Sequence, residues 1–223
     1  MYKSKIEQLI CNKEFSYLQP YFYNNPHALR CELGNGDDES YMANAKKRAL
    51  EIFDILFPSG SDAIIFNYWM FDYSDCGEAE RAELEGLGVN VEEIINNSIE
   101  SESEQLRFLL ENQAKYRHCT VRNLETYGDF DDDYRGKQRR NRVVCYADKE
   151  GFDYNSLINK QISDNGYDIG FVSFENECIL SVYDDRGCDV VFATHEKMKE
   201  FYHKLKPYFL SYDAEEMERR FNE

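Results

Sequence analysis

Apolar residues recur at three- and four-residue spacing from Ser40 onward, at Met42, Ala45, Ala49, Ile52, Phe53 and Leu56, and this period predicts a helix with one buried stripe. Pro58-Ser59-Gly60 stops it. The pattern then tightens: Asp62 to Met70 carries Ala63, Ile64, Ile65, Phe66, Tyr68 and Trp69, a short β-branched and aromatic run that predicts a buried strand. Residues 3 to 13 read as an earlier short helix, and Leu106, Leu109 and Leu110 mark another. Two strands are expected at Arg117 to Leu124 and Arg142 to Ala147, on either side of a polar loop from Tyr127 to Asn141.

After a helix near Tyr154 to Ser163, three strand-like runs follow closely: Gly170 to Phe174, Cys178 to Tyr183 and Cys188 to Ala193. Their connections, Glu175-Asn176-Glu177 and Asp184-Asp185-Arg186-Gly187, are short enough for antiparallel hairpins, with Gly187 expected at a positive φ in a tight turn. The alternation of Cys178, Leu180 and Val182 predicts one buried face. Helices at Glu196 to Leu205 and Asp213 to Phe221 close the chain. Together these elements predict an α+β fold, a mostly antiparallel sheet with helices packed on one face. A single domain over 1–223 is expected, since no repeat, low-complexity tract or Pro/Gly/Ser linker divides the chain.

Charge changes this picture at one place. The chain carries 26 basic and 43 acidic side chains, a net −17, and a field of that sign opposes wrapping around phosphates or lying on an anionic membrane. From Asp72 to Glu104, eleven acidic residues face one basic residue, Arg81, so −10 of the −17 lies in an acidic insertion-like segment. Leu84, Leu87, Val89, Ile94, Ile95 and Ile99 keep that segment from reading as a disordered tail. Asp75, Glu78, Glu80, Glu83, Glu85, Glu92 and Glu93 are its candidate partner-binding residues, and a basic protein is the partner that they fit. The plainer reading of the segment, ahead of a partner-binding role, is a solvated face that serves solubility.

Seven cysteines, Cys11, Cys31, Cys76, Cys119, Cys145, Cys178 and Cys188, are odd in number and contain no Cys-x-x-Cys pair. They are expected to be reduced, with Cys119, Cys145, Cys178 and Cys188 buried among strand residues. The opening residues lack a secretory apolar stretch and no segment approaches the ~20 apolar residues of a membrane span, so a cytoplasmic location is expected.

Catalytic patterns fail on inspection. Asp129, Asp131 and Asp133 begin like a calcium loop, but Tyr134 replaces the turn glycine and Arg140 the closing glutamate. Asp184, Asp185 and Asp189 would supply carboxylates to a metal-assisted hydrolase if they converged, yet adjacent strand residues point to opposite faces. A turn held by Asp side chains fits them better. His27, His118, His195 and His203 show no metal-ligand spacing, and Gly34-Asn35-Gly36 runs into Asp37-Asp38-Glu39, whose charge repels a phosphate. No cofactor or metal is expected. The basic run Arg135 to Arg142 speaks for an RNA-binding module, against which the preceding aspartates cancel much of its field within a Debye length of roughly 8 Å.

The string Tyr183-Asp184-Asp185-Arg186-Gly187-Cys188-Asp189, with the flanking Ile179 to Val191 run, Tyr202 and the closing Phe209-Leu210-Ser211-Tyr212-Asp213, resembles a family of bacterial proteins, the domain of unknown function 3885. The Arg48 to Phe57 helix and the strand after it are similar to the N-terminal part of that family. The resemblance implies a family-signature turn at Tyr183, Asp184, Asp185, Arg186, Gly187 and Asp189, and it implies no chemistry. By analogy with small acidic cytoplasmic proteins, it points to a non-enzymatic binding protein, most concretely an immunity-type inhibitor of a basic toxin.

Overall fold

The structure is a computed structural model that describes residues 21–72, 116–127, 137–147, 153–164 and 168–223, together with residues 82, 85 and 86. The expected helices at 3–13 and around Leu106 fall outside these residues. Described residues within 21–65 and 146–223 belong to one compact unit and those within 66–145 to another. The expected acidic segment at 72–104 falls outside the described residues except at Asp72, Ala82, Glu85 and Gly86.

In the first unit, a helical turn α1 (Tyr21–Asn24) leads into β1 (Ala28–Glu32), and α2 (Tyr41–Leu56) leads into β2 (Ala63–Asp72). β2 runs on into the second unit, where it is followed by β3 (Tyr116–Tyr127) and β4 (Lys137–Ala147) in the strand order β2-β4-β3. Back in the first unit come α3 (Tyr154–Asp164), β5 (Asp168–Ser173), β6 (Cys178–Val182), β7 (Gly187–Phe192), α4 (His195–Leu205) and α5 (Ala214–Asn222). Two 3-10 turns, Lys206–Tyr208 and Ser211–Asp213, join the last two helices. Among the described residues no helix is long and apolar enough to cross a membrane.

The sheet of the first unit runs β1-β7-β6-β5-β2. The β5/β6, β6/β7 and β1/β7 ladders are all antiparallel, so the fold is α+β as expected. Register assigns the faces, because successive side chains alternate. Phe171, Leu180, Cys188 and Val190 share one face, and there Phe171 meets the rings of Phe53, Phe57 and Tyr154 at 5.0, 6.3 and 6.1 Å. Phe192, further along that face, stacks on Phe201 at 5.5 Å. The three long helices α2, α3 and α4 thus cover the same side.

Cys178, Leu180 and Val182 are buried as their alternation predicts, and Ile179 and Ser181 between them are buried too, because the opposite side of the sheet is covered as well. Three expectations are corrected. Met42 is 37% exposed: the buried stripe of α2 begins one turn later, at Ala45. The loop expected from Tyr127 to Asn141 is narrower, since β4 begins at Lys137 and includes most of the basic run. Ladder bonds are made by the backbone, so a strand built on Val143 and Val144 propagates through charged residues beside a neighbour such as β3. Gly187, finally, is not at a positive φ; the positive φ in these hairpins belongs to Glu177, at 47°. Gly187 opens β7 and pairs with Glu32, which requires extended backbone.

Candidate functional site

β1 went unread in the sequence because its apolar run is short and Arg30 interrupts it. That arginine organises the first unit. Register places Arg30 opposite Asp189, and its Nε donates to Oδ1 at 2.9 Å while Nη2 donates to Oδ2 at 3.3 Å. Asp189 Oδ2 also accepts from the backbone N–H of Phe22 at 3.0 Å, which pins α1 against the strand. The rings of Tyr23, Phe22 and Tyr183 surround the guanidinium at 4.6, 5.3 and 5.8 Å, the range of cation–π attraction. Burial works against Arg30's charge, but the hydrogen bonds and charge of Asp189 outweigh it and hold the guanidinium above its ordinary pKa.

A second carboxylate reaches the same cation. Asp213 Oδ2 lies 3.6 Å from Arg30 Nη1, and Asp213 Oδ1 accepts a hydrogen bond from Tyr23 Oη at 3.0 Å. Burial and then that acceptor raise the Tyr23 phenol above its usual pKa. Arg30 therefore gathers Asp189 from the Tyr183 to Asp189 string and Asp213 from the Phe209 to Asp213 string. These two stretches, far apart in the sequence, meet here in space.

The C-terminal segment closes the free edge of β1. Cys31 bridges to Phe209, Leu210 N–H donates to Arg30 O at 3.2 Å, and Arg30 N–H donates to Met217 Sδ at 3.3 Å. Arg220, on α5, donates from Nη1 to the carbonyls of Phe22 and Asn25 at 2.9 Å each and of Ala28 at 3.3 Å. Its Nε donates to Glu216 Oε1 at 2.7 Å, and Arg219 together with Arg220 pulls the Glu216 carboxyl down to about 2. An edge strand whose polar groups are taken up in this way offers no ladder to another chain.

The signature turn is built by Asp184. Its Oδ1 accepts from Arg186 N–H at 2.8 Å, and its Oδ2 accepts from Arg186 Nε at 2.7 Å and from Nη2 as well. Asp184 is buried while the Arg186 side chain is 77% exposed, so the arginine folds back over the carboxylate from solvent. Asp184→Ala removes this local cap, and a loss of about 1–2 kcal/mol in urea unfolding is expected, mostly from the unpaired Arg186 N–H. A loss below a few tenths would mean that solvent replaces the cap freely.

Of the sequence candidates, Asp184 is taken up by Arg186 and Asp189 by Arg30, while Asp185 stands near Tyr41, whose phenol is raised by burial and by that carboxylate. The three acids are not brought to a common point, and among the described residues no group of three His, Cys, Asp or Glu side chains is placed to hold a metal ion. His195 Nε2 is 2.7 Å from Arg220 O, and its ring stacks on His27 at 5.9 Å, a packing arrangement at the base of α5. Glu85 is described and exposed; Asp75, Glu78, Glu80, Glu83, Glu92 and Glu93 lie outside the described residues. In the first unit, Asp37, Asp38 and Glu39 form a further exposed acidic loop before α2. Ser40 donates from N and Oγ to Asp37 Oδ1, at 3.0 and 2.7 Å, and lowers its pKa.

Arg30, Tyr23 and Arg220 were missed, although a cation inside the apolar run Ala28-Leu29-Arg30-Cys31 was the signal available: a charge there must be paired if the strand is buried. No curated protein and no solved structure matches the chain. A family model does, over residues 8–213, which include both acids that hold Arg30 and the whole signature turn, and the chain therefore belongs to the domain of unknown function family DUF3885.

Proposed function

We propose that this chain is a non-enzymatic cytoplasmic binding protein that captures a basic protein, most concretely as an immunity-type inhibitor of a basic toxin. The observation that carries this reading is the placement of charge: eleven acidic residues against one basic between Asp72 and Glu104, in a chain of net −17. What supports it further is the fate of the charges in the first unit. Arg30 and Arg220 are buried on internal acceptors and Arg186 folds onto Asp184, so these cations do not offset the exposed acids. Self-repulsion of ten net charges in 33 residues is a cost that solubility alone would avoid by spreading them.

The test is co-purification with the product of an adjacent gene that encodes a basic protein. A complex that forms at low salt, weakens steeply as salt rises and blocks the toxicity of that product is the expected result. Failure to bind any such product, or binding that is indifferent to salt, counts against the reading.

A further inference from the structure

Cys31 and Cys188 are direct partners across the antiparallel β1/β7 ladder. Directly opposed residues of such a ladder have Cα atoms about 4.5–5.5 Å apart, inside the roughly 4.4–6.8 Å span that a disulfide bridges. Alternation puts both side chains on the same face, both are buried, and both are free thiols. The two thiols therefore lie side by side on that face, close enough to interact directly. Two further residues form the surroundings. The Arg48 guanidinium, fixed by donation from Nε to Glu32 O at 2.8 Å, lies within electrostatic reach of Cys188, and Tyr208, half-buried, lies within reach of Cys31. Arg48 stacks on the Tyr208 ring at 5.2 Å, so a partly exposed cation–π pair flanks the two thiols.

We propose that Cys31 and Cys188 form a reversible redox pair that closes to a cross-strand disulfide on exposure to a peroxide. One thiolate attacks a peroxide oxygen, the O–O bond breaks, and the released hydroxide takes up the thiol proton as water, leaving a sulfenic acid. The facing sulfur then attacks that sulfenic sulfur, the S–S bond forms, and the departing hydroxide leaves as a second water with the second thiol proton. Two electrons pass from the two thiols to one peroxide, and a dithiol reverses the change. The Cys31 contact and then burial push the Cys188 thiol well up, while Arg48 acts in the opposite direction. The pair is thus inert under resting reducing conditions and reacts slowly, when local opening admits the oxidant.

The full-length chain is treated with hydrogen peroxide, alkylated, digested without reductant and mapped by mass spectrometry. The expected result is a linked pair of peptides joining Cys31 to Cys188, lighter by two hydrogens and separated again by dithiothreitol, with Cys178 still alkylated. Cys31→Ala and Cys188→Ala should each abolish the linked pair; the wild-type map needs neither variant to fold. The proposal is overturned if both cysteines remain alkylated under conditions that fully oxidise glutathione, or if either is found joined to a different cysteine or carried on to sulfonic acid.

Discussion

Replacing Arg30 with methionine should destabilise the first unit by about 3–5 kcal/mol, because it leaves Asp189 buried without its counter-charge. The Arg30 side chain is 10% exposed and Asp189's is 1%, so neither charge has water to fall back on. Asp213 loses its cation at the same time, and the faces of Tyr23, Phe22 and Tyr183 lose the guanidinium between them. Urea unfolding monitored by tyrosine fluorescence and by circular dichroism measures the loss. The double variant Arg30→Met with Asp189→Leu should recover part of it, since removing both partners abolishes the unpaired charge. Recovery stays incomplete because Phe22 N–H keeps no acceptor where Asp189 Oδ2 was. A single-variant loss below ~1 kcal/mol would show that water reaches Asp189, contrary to the buried geometry.

Gly187 is the second position where a small change should have a large effect. A Cβ built there would stand 2.2 Å from Tyr183 Oη, 2.9 Å from Tyr183 Cζ and 2.8 Å from the Cys31 carbonyl oxygen. Tyr183 is held in the ring cluster around Arg30, and Cys31 O belongs to the paired strand β1. Gly187→Ala should therefore cost about 1–3 kcal/mol by overpacking, and Gly187→Val more. The cause is close approach rather than backbone freedom, and the two differ in a measurable way. If overlap is responsible, Tyr183→Ala should relieve part of the Gly187→Ala loss, whereas strictly additive losses would point to the backbone.

Local periodicity made much of this molecule legible. The bounds of α2, the β5-β6-β7 hairpins and helices α3, α4 and α5 lie within one or two residues of expectation, because each is set by near-neighbour spacing along the chain. What escaped depends on contacts distant in sequence. β1 is five residues long and is recognised only when β7 lies beside it, and Arg30 is tolerated there only because Asp189 arrives 159 positions later. For the same reason Asp189 read as a hydrolase candidate when its role in this fold is to neutralise a buried cation. The two 3-10 turns between α4 and α5 carry no periodic signal, yet they bring Phe209 and Asp213 to β1. Gly187 was recognised as special for a reason that the register replaced: its turn is held by Asp184, and its lack of a side chain makes room for Tyr183.

Capture of a basic partner by acidic charge would show itself in the association rate as a function of ionic strength. Wild-type chain and a variant with Glu80, Glu83 and Glu85 all changed to Lys are compared against the cognate partner by stopped-flow. The variant should associate on the order of 10-fold or more slowly at low salt, with a flattened salt dependence. Its unfolding midpoint should stay near that of the wild type, the result expected of charges that act on a partner rather than on the fold. A variant that binds at the wild-type rate at low salt would rule out charge-driven capture and reduce the acidic segment to a solvated face.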